Sequence, residues 1–199
     1  MLTIVAKGLP GSKSDPSRMI LGDPVSKYVY CTLHMAQIKD HSLDTVKGIL
    51  DEAHGEYDGI DCFTSERYGA WDVSGWCEDR GIAFEPIFPN YDRQREAFNQ
   101  MLLLCREGRI KMPPTVVIGS KTEDIFDEEL SVFMHVSDKR WFGSPEKMEK
   151  TGIQDDSVYS FGWTIYGGRN LTADSFRIRK AMLNFGFWSP ARDLVGNYR

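Results

Sequence analysis

Residues 57–87 read YDGIDCFTSERYGAWDVSGWCEDRGIAFEPI, and the fold class follows from this segment. The apolar segments 57–63 and 82–87 are typical of buried strands, and the segment 70–79 between them is typical of a helix that ends before Gly81. Such alternation of strand and helix favours a sheet covered by helices on its faces.

The amino-terminal part predicts more strands. Residues 2–6, 18–22 and 27–34 are short apolar segments separated by a Gly/Pro/Ser loop and by a turn at Asp23-Pro24, which is typical of a three-stranded meander. A meander followed by strand–helix alternation predicts an α/β fold with a mixed central β-sheet flanked by helices.

Helices account for most of the remaining chain. Ser42 is a good N-cap for a helix that ends at Gly55. Further helices are predicted over 93–107, 123–133 and 155–166. We find no repeat or inter-domain linker, so we expect one domain over residues 1–170 and a basic, aromatic tail over 171–199.

The composition of the 199 residues is that of a soluble globular protein, with 41% hydrophobic and 27% charged residues. No apolar run is long enough for a membrane span, and the amino terminus lacks the apolar core of a secretory signal. These features predict a cytoplasmic location. The net charge of −5 argues mildly against a broad basic DNA-binding surface, although a carboxylate cluster that binds metal also carries negative charge.

The strongest local signal is the segment 152–160, in which Asp155 and Asp156 open an apolar-faced helix. Acidic residues at a helix amino terminus are stabilised by the helix dipole, by about 0.3–1 kcal/mol. The pair therefore has two interpretations. It caps the helix, or one of its carboxylates ligates a metal ion.

Two further acids are candidates for the same site. Asp61 lies in an apolar strand, where a charge is costly to bury unless it is paired or binds a cation. Glu66 follows as a fallback, and Asp15 lies in the loop after the first strand. Carboxylates from separate elements that meet at one end of a sheet suit two Mg²⁺ or Mn²⁺ ions and phosphodiester cleavage.

Other chemistries have little support in the sequence. The loop from Gly8 to Ser14 resembles a phosphate-binding P-loop, but Ser12 stands where that motif needs glycine before Lys13. There is no GxSxG nucleophile motif. The four cysteines include no CxxC pair, and the four histidines lack metal-binding spacing.

Taken together, these segments resemble the C-terminal nuclease domain of bacteriophage large terminases. That family has an RNase H-like fold, a strand with an acid, a helix followed by G-R-[IL]-x-x-P, an acidic helix, and a late glycine–Asp-Asp–helix motif. The matching segments here are 57–61, 98–107, 108–113, 125–133 and 152–160. The resemblance covers about residues 2–167, and the order and spacing of the motifs carry it.

The resemblance implies a metal-dependent endonuclease that cuts concatemeric double-stranded DNA during genome packaging. Asp61, Asp155 or Asp156, and Asp15 would then be the catalytic, metal-binding residues, with Mg²⁺ or Mn²⁺, two ions by expectation. Lys139 and Arg140 are candidates for DNA phosphate contact.

The implied partners are the terminase ATPase domain, the small terminase subunit and the capsid portal, in the host-cell cytoplasm and away from membranes. The family usually has an aspartate at the end of the first strand, where this sequence has Lys7. Either Asp15 replaces that aspartate, or the site is weakened, or the first strand aligns differently.

Two alternatives remain open. One is an RNase H-like module that binds DNA or the portal with weak or no catalysis, which Lys7 favours. The other is another RNase H-like nuclease, such as a junction resolvase. Because the sequence has no Walker A or Walker B motif, we expect an isolated nuclease domain that does not translocate DNA alone.

Overall fold

The computed structural model describes nine parts of the chain. They are residues 1–8, 28–38, 42–57, 59–66, 71–111, 116–117, 121–122, 125–145 and 153–171. The loop that holds Asp15, the predicted strand 18–22 and the tail after Leu171 lie outside these residues.

The first sheet is built by two long strands. Strand β1, Leu2–Gly8, pairs antiparallel with β2, Val29–Ala36, and the register changes between Ile4 and Val5. The short strand β5, Ile110–Lys111, adds to β2 in the parallel direction. The predicted strands at residues 2–6 and 27–34 are therefore confirmed, but the predicted meander order is wrong for them. In a meander they would run parallel on either side of a middle strand, whereas here they pair directly and antiparallel.

Helix α1, Leu43–Glu56, begins as predicted. The hydroxyl of Ser42 accepts a hydrogen bond from the backbone N–H of Thr45 at 3.4 Å, which satisfies a donor that has no partner within the helix. The helix buries Leu50 and Ala53.

The second sheet follows. Strand β3, Cys62–Glu66, is joined through α2, Trp71–Asp79, to β4, Ala83–Ile87, and the strands pair in parallel. The helix supplies the crossover that parallel strands need.

The predicted position of β3, over residues 57–63, is wrong. The backbone before the strand is held by the end of α1, because His54 accepts hydrogen bonds from Gly59 N through its carbonyl at 2.8 Å and from Ile60 N through Nδ1 at 3.0 Å. Gly59 has a φ of 120°, which glycine adopts readily. These residues form a turn, so the strand starts only at Cys62 and ends at Glu66.

Helix α3, Tyr91–Arg106, carries much of the core. Its N-cap Asn90 accepts a hydrogen bond from Arg93 N at 2.9 Å. After the helix, Gly108 has a φ of 65°, and the guanidinium of Arg109 donates to the carbonyl of Tyr28 at 2.6 Å. The Gly-Arg segment thus ends the helix and fixes β5 beside β2.

The remaining elements are shorter. They are β6 Val116–Val117, β7 Lys121–Thr122, α4 Ile125–Val132, the strands β8 Met134–Val136 and β9 Trp141–Gly143, α5 Asp156–Gly167, and a 3₁₀ turn Gly168–Asn170. The strands β6 and β7 pair antiparallel, as do β8 and β9.

Helix α5 is the centre of the molecule and is buried around most of its circumference. It contacts β1, β3, α3 and α4, and its buried residues include Val158, Phe161, Trp163 and Ile165. Such a helix belongs to a core rather than to a surface. Gly162 lets the ring of Phe98 approach, since a Cβ there would lie 2.8 Å from that ring.

The architecture is mixed α/β, as predicted, but the described strands do not form the single central sheet that the sequence predicted. Within the described residues, the strands fall into one three-stranded sheet and three two-stranded sheets, and β1 and β3 belong to different sheets. Helix α5 joins those two by packing on both. None of the helices in the described ranges has the length and apolar character needed to cross a membrane.

Candidate functional site

A cleft of about 980 Å³ is lined by β1, α1, β3 and the amino-terminal part of α5. The acids that line it are Asp61, Glu66, Asp155 and Asp156. They come from two segments far apart in the sequence, and they share the cleft because α5 packs on β3.

The direction of β3 along α5 decides which acid lies near the helix amino terminus. The thiol of Cys62 lies 4.0 Å from the carbonyl of Gly167, and the hydroxyl of Thr64 donates to the carbonyl of Trp163 at 3.4 Å. Strand and helix therefore run in opposite directions. Glu66, at the carboxyl end of β3, lies towards the start of α5, whereas Asp61 precedes the strand at its other end.

Glu66 is anchored to α5 directly. The indole Nε1 of Trp163 donates to Glu66 Oε1 at 3.2 Å, and Trp163 is only 5% exposed. The sequence placed Glu66 as a fallback behind Asp61, because it centred the strand on residues 57–63. With β3 at its observed position, Glu66 lies at the carboxyl end of the strand, the edge at which sheets of α/β proteins commonly bind their ligands.

Asp155 is the most buried acid of the cleft, at 2% exposed. Its Oδ2 accepts a hydrogen bond from the backbone N–H of Ser144 at 3.0 Å. Gly143 makes this approach possible. It has a φ of 148°, and a Cβ there would lie 2.7 Å from Asp155 Oδ2 and 2.7 Å from the ring of Trp141.

Asp156 differs sharply from its neighbour, because its side chain is exposed. The sequence could not distinguish the two aspartates. The structure separates them into one carboxylate fixed in the interior and one at the surface of the same cleft.

Glu129 is a buried acid whose position the sequence analysis missed. It lies in α4 and is 5% exposed. Its Oε2 accepts from the backbone N–H of Ser157 at 2.7 Å and from the Ser157 hydroxyl at 2.5 Å. The sequence shows Glu129 only as one of three consecutive acids in this helix, which does not distinguish it from its neighbours.

Tyr159 lies between the two acidic segments. Its hydroxyl donates to the carbonyl of Phe142 at 2.9 Å. Burial raises the pKa of Tyr159 well above its ordinary value, and the negative charges of Asp155 and Glu66 raise it further. The phenol therefore stays protonated and remains a donor, and both carboxylates lie close enough to act on it electrostatically.

The basic residues proposed for DNA contact are exposed and are not among the residues that line the cleft. Lys139 and Arg140 lie in the turn between β8 and β9 and are exposed. The Arg140 guanidinium lies 4.8 Å from the centroid of the Tyr91 ring and 4.0 Å from the carboxylate of Asp92. Both basic side chains are therefore accessible to a partner, while contact with DNA stays a prediction.

The predicted metal-binding set is brought together only in part. Asp61, Asp155 and Asp156 line one cleft, but in the part of the chain that the structure describes, no three His, Cys, Asp or Glu side chains are grouped closely enough to hold a metal ion. Asp15 lies outside those residues. Lys7 is paired with Tyr30 in the β1–β2 register.

The sequence matches no protein-family model, and no curated protein or solved structure gives a match to the chain.

Proposed function

We propose that the chain is a terminase-type nuclease domain, a divalent-metal-dependent endonuclease with an RNase H-like fold that cuts double-stranded DNA. The observation that carries the proposal is the cleft that Asp155, at the start of α5, and Glu66, at the end of β3, line together with Tyr159. Asp155 is held in the interior by Ser144, and the exposed Glu66 is held by Trp163, which favours a pre-organised pair of ligands.

The donor chemistry suits Mg²⁺ or Mn²⁺, since both prefer carboxylate oxygens. Asp155 is the proposed central ligand and Glu66 the second, in place of Asp61. Asp15, the further ligand that the sequence suggests, lies outside the described residues. When bound, two such ions supply activation of water and stabilisation of the leaving oxygen.

The chain's own residues hold these ligands in place. Ser144 orients Asp155, and Trp163 orients Glu66. In the proposal, Lys139 and Arg140 contact DNA phosphates without reading the sequence. The terminase ATPase domain, the small subunit and the portal are partners that only the resemblance supports.

The experiment is nicking of supercoiled plasmid with Mn²⁺, Mg²⁺ or EDTA. The matched variants are Glu66→Gln and Asp61→Asn, which neutralise acids at the two ends of β3. We expect metal-dependent cutting by the wild type, a loss of more than about 100-fold in Glu66→Gln, and near wild-type cutting by Asp61→Asn. The reverse order would return Asp61 to the site and contradict the role of Glu66.

A second candidate is an RNase H-like module that binds DNA or the portal without cutting. Two observations favour it: Lys7 stands where the family has an aspartate, and the described acids do not form a three-ligand group. Plasmid binding that survives EDTA, together with no nicking under either metal, would select this candidate over the nuclease.

A further inference from the structure

We infer that Glu129 is a positioning residue: it caps the amino terminus of α5 in place of Asp155, and this keeps the Asp155 carboxylate turned towards Ser144 in the cleft wall. The inference rests on the proposed function only where it treats Asp155 as a metal ligand of the nuclease. The capping role itself concerns three hydrogen bonds of the folded chain, two from Ser157 to Glu129 and one from Ser144 to Asp155.

Glu129 occupies the acceptor position of an N-cap. Ser157 is the second residue of α5, and its backbone N–H is one of the donors that a helix leaves without an internal partner. An N-cap side chain ordinarily accepts from this position or the next. Here the acceptor is Glu129 Oε2, which reaches it from α4, 28 positions away in the sequence.

The residue in the N-cap position, in contrast, does not cap. Asp155 precedes the helix and is of a type that favours capping, yet its side chain makes no capping hydrogen bond. Its Oδ2 instead accepts from Ser144 N at 3.0 Å. Each acid therefore accepts from a different backbone N–H group. Glu129 accepts from Ser157, and Asp155 accepts from Ser144.

Loss of Glu129 would disturb this division. Removing its carboxylate would leave the Ser157 N–H in the interior without that acceptor, because Ser157 is fully buried. A buried donor without an acceptor is strongly unfavourable. The acid best placed by sequence to replace it is Asp155, and turning towards Ser157 would break the hydrogen bond to Ser144. Loss of Glu129 should thus leave the Ser144 N–H without its hydrogen bond to Asp155.

The test is amide hydrogen exchange at Ser144 and Ser157, measured by NMR for wild type, Glu129→Ala and Glu129→Gln. Glu128→Ala is the matched control, since Glu128 is an exposed neighbour on the same helix. Amides in α3 report any general loss of stability. We expect Glu129→Ala to speed exchange at Ser144 by about tenfold or more while Ser157 stays protected, and we expect Glu129→Gln to return exchange at Ser144 to the wild-type rate.

A purely structural role gives the opposite pattern. Exchange would then accelerate at Ser157 and stay unchanged at Ser144, which would overturn the inference. This measurement needs neither metal nor DNA. It therefore tests the capping role of Glu129 even if the chain does not cut DNA.

Mn²⁺ titration by calorimetry tests the catalytic meaning separately. If the wild type binds Mn²⁺, Glu129→Ala should weaken binding by about 10–100-fold and Glu129→Gln should recover most of it. Unchanged Mn²⁺ affinity in Glu129→Ala would overturn the positioning role. Absence of Mn²⁺ binding in the wild type would instead count against the proposed nuclease.

Discussion

The amino terminus of α5 and the turn at residues 137–140 are the two charged regions singled out by the sequence. The structure buries two charged side chains in the first region and exposes the charged side chains of the second. At the start of α5, Asp155 and Glu129 are buried, at 2% and 5% exposed, and both accept hydrogen bonds from main-chain N–H groups. In the turn, the Arg140 side chain is 66% exposed and lies 4.0 Å from the carboxylate of Asp92.

Under the proposed function, in which Asp155 binds a metal ion and Arg140 contacts a DNA phosphate, the two groups have different needs. A metal ligand acts only within a few tenths of an ångström of its proper position, so its carboxylate must be held by several elements. A phosphate contact tolerates movement, because it acts largely through charge. The comparison therefore predicts large effects from small changes around Asp155 and small effects from larger changes in the turn.

The largest effect on stability is expected for Gly143→Ala. A Cβ at this position meets both Asp155 Oδ2 and the Trp141 ring at 2.7 Å, and the φ of 148° disfavours any other residue. We expect the free energy of unfolding to fall by about 1–3 kcal/mol, as measured by chemical denaturation.

Gly48→Ala is the matched control for that substitution. Gly48 lies inside α1, and a Cβ added there would meet nothing within 4 Å beyond the backbone of its own helix. The same change should therefore stabilise the helix by about 0.5–1 kcal/mol. If Gly143→Ala were as well tolerated as Gly48→Ala, the tight packing around Asp155 would be contradicted.

The smallest effect on stability is expected for Arg140→Ala. Exposed ion pairs contribute little, so the free energy of unfolding should change by less than about 0.5 kcal/mol. If Arg140 contacts a phosphate, DNA affinity should fall and the salt dependence of binding should lose about one unit of slope. Unchanged DNA affinity and an unchanged salt dependence in Arg140→Ala and Lys139→Ala would show that the turn is not part of the DNA-binding surface.

The local parts of the fold could be predicted from the sequence. The N-cap signature at Ser42 and the apolar spacing in α3 place these helices within two residues of their observed starts, because caps and helical periodicity act within one or two turns. The position of β3 could not be predicted, since it depends on how His54 holds the backbone at residues 59 and 60.

The site was predictable only as a set of acids. The adjacent aspartates and the acid near β3 carry a local signal, and the structure places them in one cleft. Which acid is buried depends on contacts between distant segments, such as Glu129 with Ser157 and Ser144 with Asp155. No pattern within a single helix or strand encodes such contacts, so Glu129 and Ser144 could not be singled out.

The proposed nuclease requires that the cleft at the start of α5 bind a divalent metal through the buried carboxylate. The decisive measurement is calorimetric titration of Mn²⁺ into the wild type, Asp155→Asn and Asp156→Asn. We expect binding by the wild type, a loss of more than about 100-fold in Asp155→Asn, and a smaller loss in the exposed variant Asp156→Asn. Equal affinity in the wild type and Asp155→Asn, or no binding by the wild type, would contradict the proposed metal site.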